Sequence, residues 1–216
     1  MSFATRVSQV KQWQGLAALM LALTPLAASG QAPTEALPLT ARAKGSATAP
    51  VTVYEMADFQ CPYCRNFATQ TFDSIVTEFI KPGKVRWIFI NLPIPSLHAN
   101  AEAAAEFAVC AAVQGRFWPA HDMLYRAQEQ WEALKDPAPF FQSKSASLGL
   151  KADEMSGCLR SGRGTAMVKD DATGAARSGV SSTPSFYIEG GIISGAQPMS
   201  VFRPILDSIW KAKSKK

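Results

Sequence analysis

The spacing of apolar positions changes twice along the chain. Residues 51–57 carry apolar side chains on both faces, as a buried strand does, and a helix is predicted to start near Pro62 and run to residue 80. Phe67, Phe72, Ile75, Val76 and Phe79 fall on one face of that helix, and Pro82-Gly83 ends it. Residues 84–92 alternate, with Val85, Trp87 and Phe89 on one side and Ile88 and Ile90 on the other. This is strand–helix–strand, and a right-handed crossover makes the two strands parallel. From residue 98 to 177 the period is helical, with segments at 101–113, 118–127, 137–148, 152–160 and 165–177. β-signals then return: a strand at 185–189, a Gly190-Gly191 turn and a partner at 192–194. A helix over 201–211 follows, with Phe202, Ile205, Leu206, Ile209 and Trp210 on its apolar face. The order β–α–β, helical block, β–β–α predicts an α/β fold with a helical insertion.

The first 32 residues have a different character. Arg6 and Lys11 precede an apolar run of about 13 residues, 16–28, too short for an ordinary spanning helix. Ala27, Ala28, Ser29, Gly30 and Ala32 supply the small residues of a cleavage site, so residues 1–32 are expected to be a secretory signal peptide, with an uncleaved anchor as the rival. Residues 33–48, rich in Pro, Ala, Thr and Ser, read as a linker without a core of its own. The chain of 216 residues is 47% hydrophobic and 18% charged, which sets aside disordered and collagen-like classes. The formal charge is +5. Removing residues 1–32 takes away two of the basic residues and no acid, and the basic cluster Lys211, Lys213, Lys215 and Lys216 reads as a solvated tail, so no nucleic-acid partner is expected.

The chemistry concentrates at Cys61-Pro62-Tyr63-Cys64, directly after a buried strand and at the start of a helix. Free N–H groups and the positive end of the helix dipole stabilise a thiolate there, which makes Cys61 the attacking or leaving sulfur. Pro62 suits the first helical turn, because its missing N–H has no partner to lose. Half of a zinc site is the alternative, but zinc needs three or four ligands; there is no second such cysteine pair, and the two histidines, His98 and His121, match no finger spacing. Both histidines read as structural. No metal or cofactor is expected. Gly162-Arg163-Gly164 is a faint echo of a phosphate loop with no strand before it, and reads as a helix break.

Residues 49–64, with Phe59-Gln60 before the cysteine pair, resemble the DsbA-like branch of the thioredoxin superfamily. So do Gln114-Gly115-Arg116-Phe117-Trp118 with His121, and Gly179-Val180 leading to Thr183-Pro184. The resemblance spans residues 49 to about 212. It implies a thioredoxin-like domain from 49–96 and 165–212 around a helical insertion at 97–164. It also implies a protein thiol–disulfide oxidoreductase acting through Cys61 and Cys64 in the periplasm or another extracytoplasmic space. Substrates would be reduced or misfolded exported proteins, the redox partner a membrane thiol oxidase or reductase, and the chain a monomer.

Pro62, Tyr63, Thr183 and Pro184 would line the substrate site, with Thr183-Pro184 cis and facing the cysteines; a plain turn is the alternative. Glu55, an acid among Val53, Tyr54 and Met56, is expected either to relay a proton to Cys64 or to be ion-paired. Asp58 reads as a turn cap. An even cysteine count in an exported chain makes Cys110–Cys158 a candidate structural disulfide, against two separate buried thiols. Such a bridge would stabilise by roughly 4 kcal/mol in the chain-entropy model.

Tyr63 stands where the best-known DsbA proteins have His, and the cysteine motif also occurs in isomerases of the DsbG type and in glutaredoxins. A dithiol oxidase is the first reading and a reductase or isomerase the second. A redox-inert chaperone or a copper-binding protein is the alternative from another class.

Overall fold

The computed structural model describes residues 39–215; the proposed signal peptide and the first part of the proposed linker lie outside these residues. A five-stranded sheet has the order β1-β3-β2-β4-β5, from β1 (Ala43–Lys44), β2 (Val51–Ala57), β3 (Val85–Asn91), β4 (Ser185–Ile188) and β5 (Gly191–Ser194). β2 and β3 are parallel, pairing Val51 with Val85 through Ala57 with Asn91, as the strand–helix–strand pattern requires. The other neighbours are antiparallel.

One face of the sheet carries Val53, Trp87, Phe186 and the buried Glu55. Its apolar residues pack with Phe67 of α1 (Pro62–Gln70), Phe72 and Ile75 of α2 (Phe72–Ile75), and Phe202 and Leu206 of the C-terminal helix, Met199–Lys213. The insertion builds a second core. Its centre is α3 (Ala101–Val113), whose alanine-rich surface is buried nearly all round, as a central helix must be. Phe107 of α3, Phe117, Leu124 and Tyr125 of α4 (Phe117–Arg126), Trp131 of α5 (Gln128–Trp131) and Phe141 of α6 (Ala138–Ser145) fill it. α7 (Ala152–Arg160) and α8 (Arg163–Arg177) complete this layer, and α9 (Met199–Lys213) closes the chain. Cys110 of α3 and Cys158 of α7 are joined by a disulfide, with Cα atoms 5.7 Å apart.

Three boundaries depart from the apolar pattern. The first helix does not run unbroken to residue 80. The helix loosens at Thr71 (φ −113°, ψ −40°), α2 follows, and residues 76–80 form a π-helical turn closed by Lys81 N–H donating to the Val76 carbonyl at 2.8 Å. Thr71 Oγ1 also donates to the Gln197 carbonyl at 3.3 Å, so a tertiary contact sits at the break. The segment 137–148 is a shorter α-helix finished by a 3₁₀ turn at Gly149, whose φ is +69°. Finally, part of the presumed linker belongs to the sheet. Ala43 and Lys44 pair with Ile88 and Trp87 on the open edge of β3. Beside them Arg42 is buried and forms a bidentate ion pair with Asp171 of α8. Asp171 also accepts from the backbone N–H and side-chain amide of Asn91.

Candidate active site

β2 ends at Ala57, and residues 58–61 turn the chain into α1. Cys61 is the N-cap, with extended backbone (φ −68°, ψ 124°), and Pro62 opens the helix. The first-turn backbone groups of Tyr63 and Cys64 stabilise the charge on the Cys61 sulfur. Cys61 is 4% exposed, Cys64 is fully buried behind it and Tyr63 stands out into solvent at 63%. Both cysteines are thiols here.

The two sulfurs differ sharply. Cys61 is drawn down from 9.0 to about 6. The largest cause is its hydrogen bond with the Cys64 thiol; the Thr183 side chain and the Cys64 and Tyr63 backbone groups add to it, against the opposing effect of burial. Cys64 is pushed well above 9.0, first by burial and then by its interaction with Cys61. One sulfur is therefore a thiolate at neutral pH and the other a thiol, which separates the attacked sulfur from the resolving one.

Thr183-Pro184 lies across from the cysteines and its peptide bond is cis. The Thr183 carbonyl accepts from Cys61 Sγ at 3.5 Å. Glu55 sits at the centre of the sheet, opposite Phe89 and Phe186, and is 1% exposed. Trp87 Nε1 donates to its Oε2 at 2.7 Å, and Oε1 has no partner among the described residues. Burial raises this carboxyl from 4.5 to about 8, only partly offset by Trp87, so it is a protonated acid at neutral pH.

Asp58 does more than cap a turn. Its carboxylate accepts from Gln60 N–H at 2.7 Å and Ile94 N–H at 2.9 Å and pairs with His98 Nδ1 at 2.8 Å, which pins the active-site turn to the loop after β3. His121 is buried among Phe59, Phe89, Trp118 and Tyr125, with Nδ1 against Asp122 at 2.8 Å. Burial holds it below its ordinary value despite Asp122. Gly162 caps α8 with φ +68° and Gly164 packs against Glu106, so this stretch is a helix start. Asn100 and Gln128 belong to no motif, and Gln60, which precedes the cysteine pair, has bonds that no motif implies. Gln60 Nε2 donates to the Glu132 carbonyl at 2.9 Å, and Asn100 Nδ2 donates to the carbonyls of Trp131, Glu132 and Leu134. Their partners are main-chain atoms distant in sequence, and no residue pattern announces such bonds.

Among the described residues no three His, Cys, Asp or Glu side chains gather as a metal site, and no helix is long and apolar enough to cross a membrane.

A family model described as thioredoxin matches residues 39–208. The Na(+)/H(+) antiporter NhaA 1 of Salinispora arenicola is 35% identical over 147 residues, covering 68% of this chain and 21% of that protein. This chain thus spans about a fifth of the length of that relative. The "Probable disulfide bond formation protein D" of Bacillus anthracis is 28% identical over 187 residues, covering 82% of this chain and 78% of the relative. The crystal structure of oxidised BdbD from Bacillus subtilis superposes with a TM-score of 0.72 at 21% identity, over 81% of this chain and 95% of that one. The chain therefore belongs to the thioredoxin family.

Proposed function

We propose that this chain is an exported dithiol oxidase that passes the Cys61–Cys64 disulfide to reduced protein substrates. The observation that carries the reading is the asymmetry of the pair: a low-pKa Cys61 at the helix start in front of a buried, high-pKa Cys64. A substrate thiolate attacks Cys61 Sγ, the Cys61–Cys64 bond breaks, and Cys64 leaves and takes up a proton. A second substrate thiolate then attacks the substrate sulfur of the mixed disulfide, and Cys61 leaves as a thiolate. Two substrate thiols become one disulfide, and the protein's disulfide becomes a dithiol. A stable Cys61 thiolate favours the reduced protein, hence donation of the disulfide over its acceptance.

The same reading assigns the other roles. Glu55, protonated at neutral pH, is the acid that serves Cys64. Thr183 offers backbone hydrogen bonds to an extended substrate chain, with Pro62, Tyr63 and Pro184 lining the approach. Cys110–Cys158 is a staple within the insertion at 97–164, set into a thioredoxin-like domain of residues 49–96 and 165–212. Residues 1–32 direct export, and a membrane thiol oxidase restores the active disulfide in a monomeric, extracytoplasmic protein.

The test is a pair of variants. Cys64→Ser is expected to accumulate mixed disulfides with disulfide-bearing substrate proteins, the Cys61 thiolate displacing one substrate sulfur as a thiolate, while Cys61→Ser captures none. If the wild-type protein refolds scrambled proteins but does not oxidise reduced ones, isomerase replaces oxidase. If both variants keep full oxidase activity, the assignment of the pair fails.

A further inference from the structure

The insertion reaches into the active-site turn through one side chain. Gln128, the first residue of α5, is 1% exposed. Its Nε2 donates to the Phe59 carbonyl at 2.8 Å and to the Cys61 carbonyl at 3.2 Å. These two carbonyls belong to the peptide planes on either side of the nucleophile's turn. The Cys61 carbonyl already accepts the helical bond from Arg65 N–H at 3.1 Å, so Gln128 adds a lateral tether to an anchored group. Around it the same segment is tied down again. Asn100 N–H donates to Gln60 Oε1 at 2.7 Å, Gln60 Nε2 grips the Glu132 carbonyl, and Arg65 of α1 pairs with Glu129 of α5.

We propose that Gln128 is a positioning residue for Cys61: its amide fixes the backbone angle ψ of the N-cap cysteine and so aims the sulfur at the first-turn N–H groups of α1. This rests on the reading that Cys61 is the attacked sulfur. A thiolate at a helix start is stabilised only when the sulfur lies near those N–H groups, and the effect falls off within the first turn. The direction of the Cys61 carbonyl is the other end of the same ψ rotation, so a donor that holds it also holds the sulfur's relation to the helix. In this arrangement the helical insertion sets the redox character of the thioredoxin half.

The experiment uses the full-length reduced protein and two variants. Gln128→Met keeps length and approximate volume and removes both donors. Gln128→Glu keeps the shape and turns the amide nitrogen into an acceptor facing two carbonyls. Cys61 is read directly, by thiolate absorbance against pH and by its alkylation rate with iodoacetamide. An upward move of one pH unit in the midpoint would leave roughly one tenth of Cys61 ionised at pH 6 in place of about half, a roughly five-fold slower alkylation there. Gln128→Glu is expected to move the midpoint at least as far, with a matching fall in the reduction potential of the pair.

Variants that melt earlier yet titrate like the wild type would overturn the proposal, since a residue that only fills space would behave so. If neither variant folds, the wild-type Gln128 side-chain amide decides. Its NMR signals are expected to titrate with the midpoint of Cys61, and signals indifferent to Cys61 ionisation overturn the proposal. Neither readout needs a substrate, so a wild-type protein that fails to oxidise dithiols would sink the proposed function and leave this test standing.

Discussion

Replacing Glu55 by Gln tests the central electrostatic feature of the sheet. The carboxyl is buried and held up at about 8, chiefly by loss of water and against the pull of Trp87 Nε1. Raising it from 4.5 to about 8 corresponds to a differential on the order of 5 kcal/mol between its protonated and ionised forms. The sign follows from proton counting. Below pH 4.5 the folded and unfolded chains both hold the proton. Between 4.5 and 8 the unfolded chain releases it while the folded chain keeps it, so stability falls as pH rises, and above 8 the whole penalty is present. Glu55→Gln has no proton to release. Its amide leaves N–H donors unpartnered where the O–H of the neutral acid is also unpartnered, and any difference between these costs is the same at every pH. The variant is therefore expected to gain stability relative to the wild type as pH rises from 4 to 9. The difference between the two should change by about 5 kcal/mol, equivalent to about 10–20 °C in melting temperature for a chain of this size. Urea titrations of the oxidised protein at several pH values measure it, since in the reduced protein Cys61 ionises within the same window. Parallel stability curves for the two proteins would refute a buried, neutral Glu55.

Four further outcomes are expected. Alkylation of Cys61 in the reduced protein should be half-maximal near pH 6, with Cys64 unreactive at neutral pH; a midpoint near 9 would contradict the thiolate geometry. Because that ionisation lies lower in the folded than in the unfolded chain, the reduced protein should lose stability relative to the oxidised one as pH falls from 9 through 6. Limiting reductant should open Cys61–Cys64 before Cys110–Cys158, since a stabilised Cys61 thiolate favours the reduced form of its pair, and mass mapping after alkylation would reveal the reverse order. Asp171→Ala should cost about 3–5 kcal/mol, because it strands the buried Arg42 charge; a loss under about 1 kcal/mol in denaturant titrations would show that Arg42 finds water instead.

What the residues announce in advance is what depends on neighbours in sequence. The alternation over 84–92 predicts β3 almost to the residue, because one apolar face and a Pro82-Gly83 stop act locally. The cysteine motif after a buried strand likewise carries its own context: strand end, N-cap and Pro62 lie within a few residues of one another. Glu55 is visible for the opposite reason, as an acid where the pattern demands an apolar side chain. Residues 39–48 show where this stops. Nothing in their composition says that two of them close a sheet edge, because the pairing is made by main-chain atoms and completed by Trp118 Nε1 donating to the Ala43 carbonyl from 75 residues away.

The polar clasp around Cys61 is hidden for the same reason. Gln128 reaches across 67 residues of sequence to the Cys61 carbonyl, and Arg42 across 129 to Asp171. Each is a polar residue whose burial is tolerable only because the tertiary fold supplies its partner. A thioredoxin-like half alone contains the cysteines, the helix start and the cis Thr183-Pro184 turn. Further bonds to the active-site turn come from Gln128, the Glu132 carbonyl and the Asn100 N–H, all within the insertion. If that division is real, changes at the insertion's contact with the turn should alter Cys61 without touching the cysteine motif. Proteins that share the motif can then differ in thiol acidity through residues that no inspection of the motif would single out.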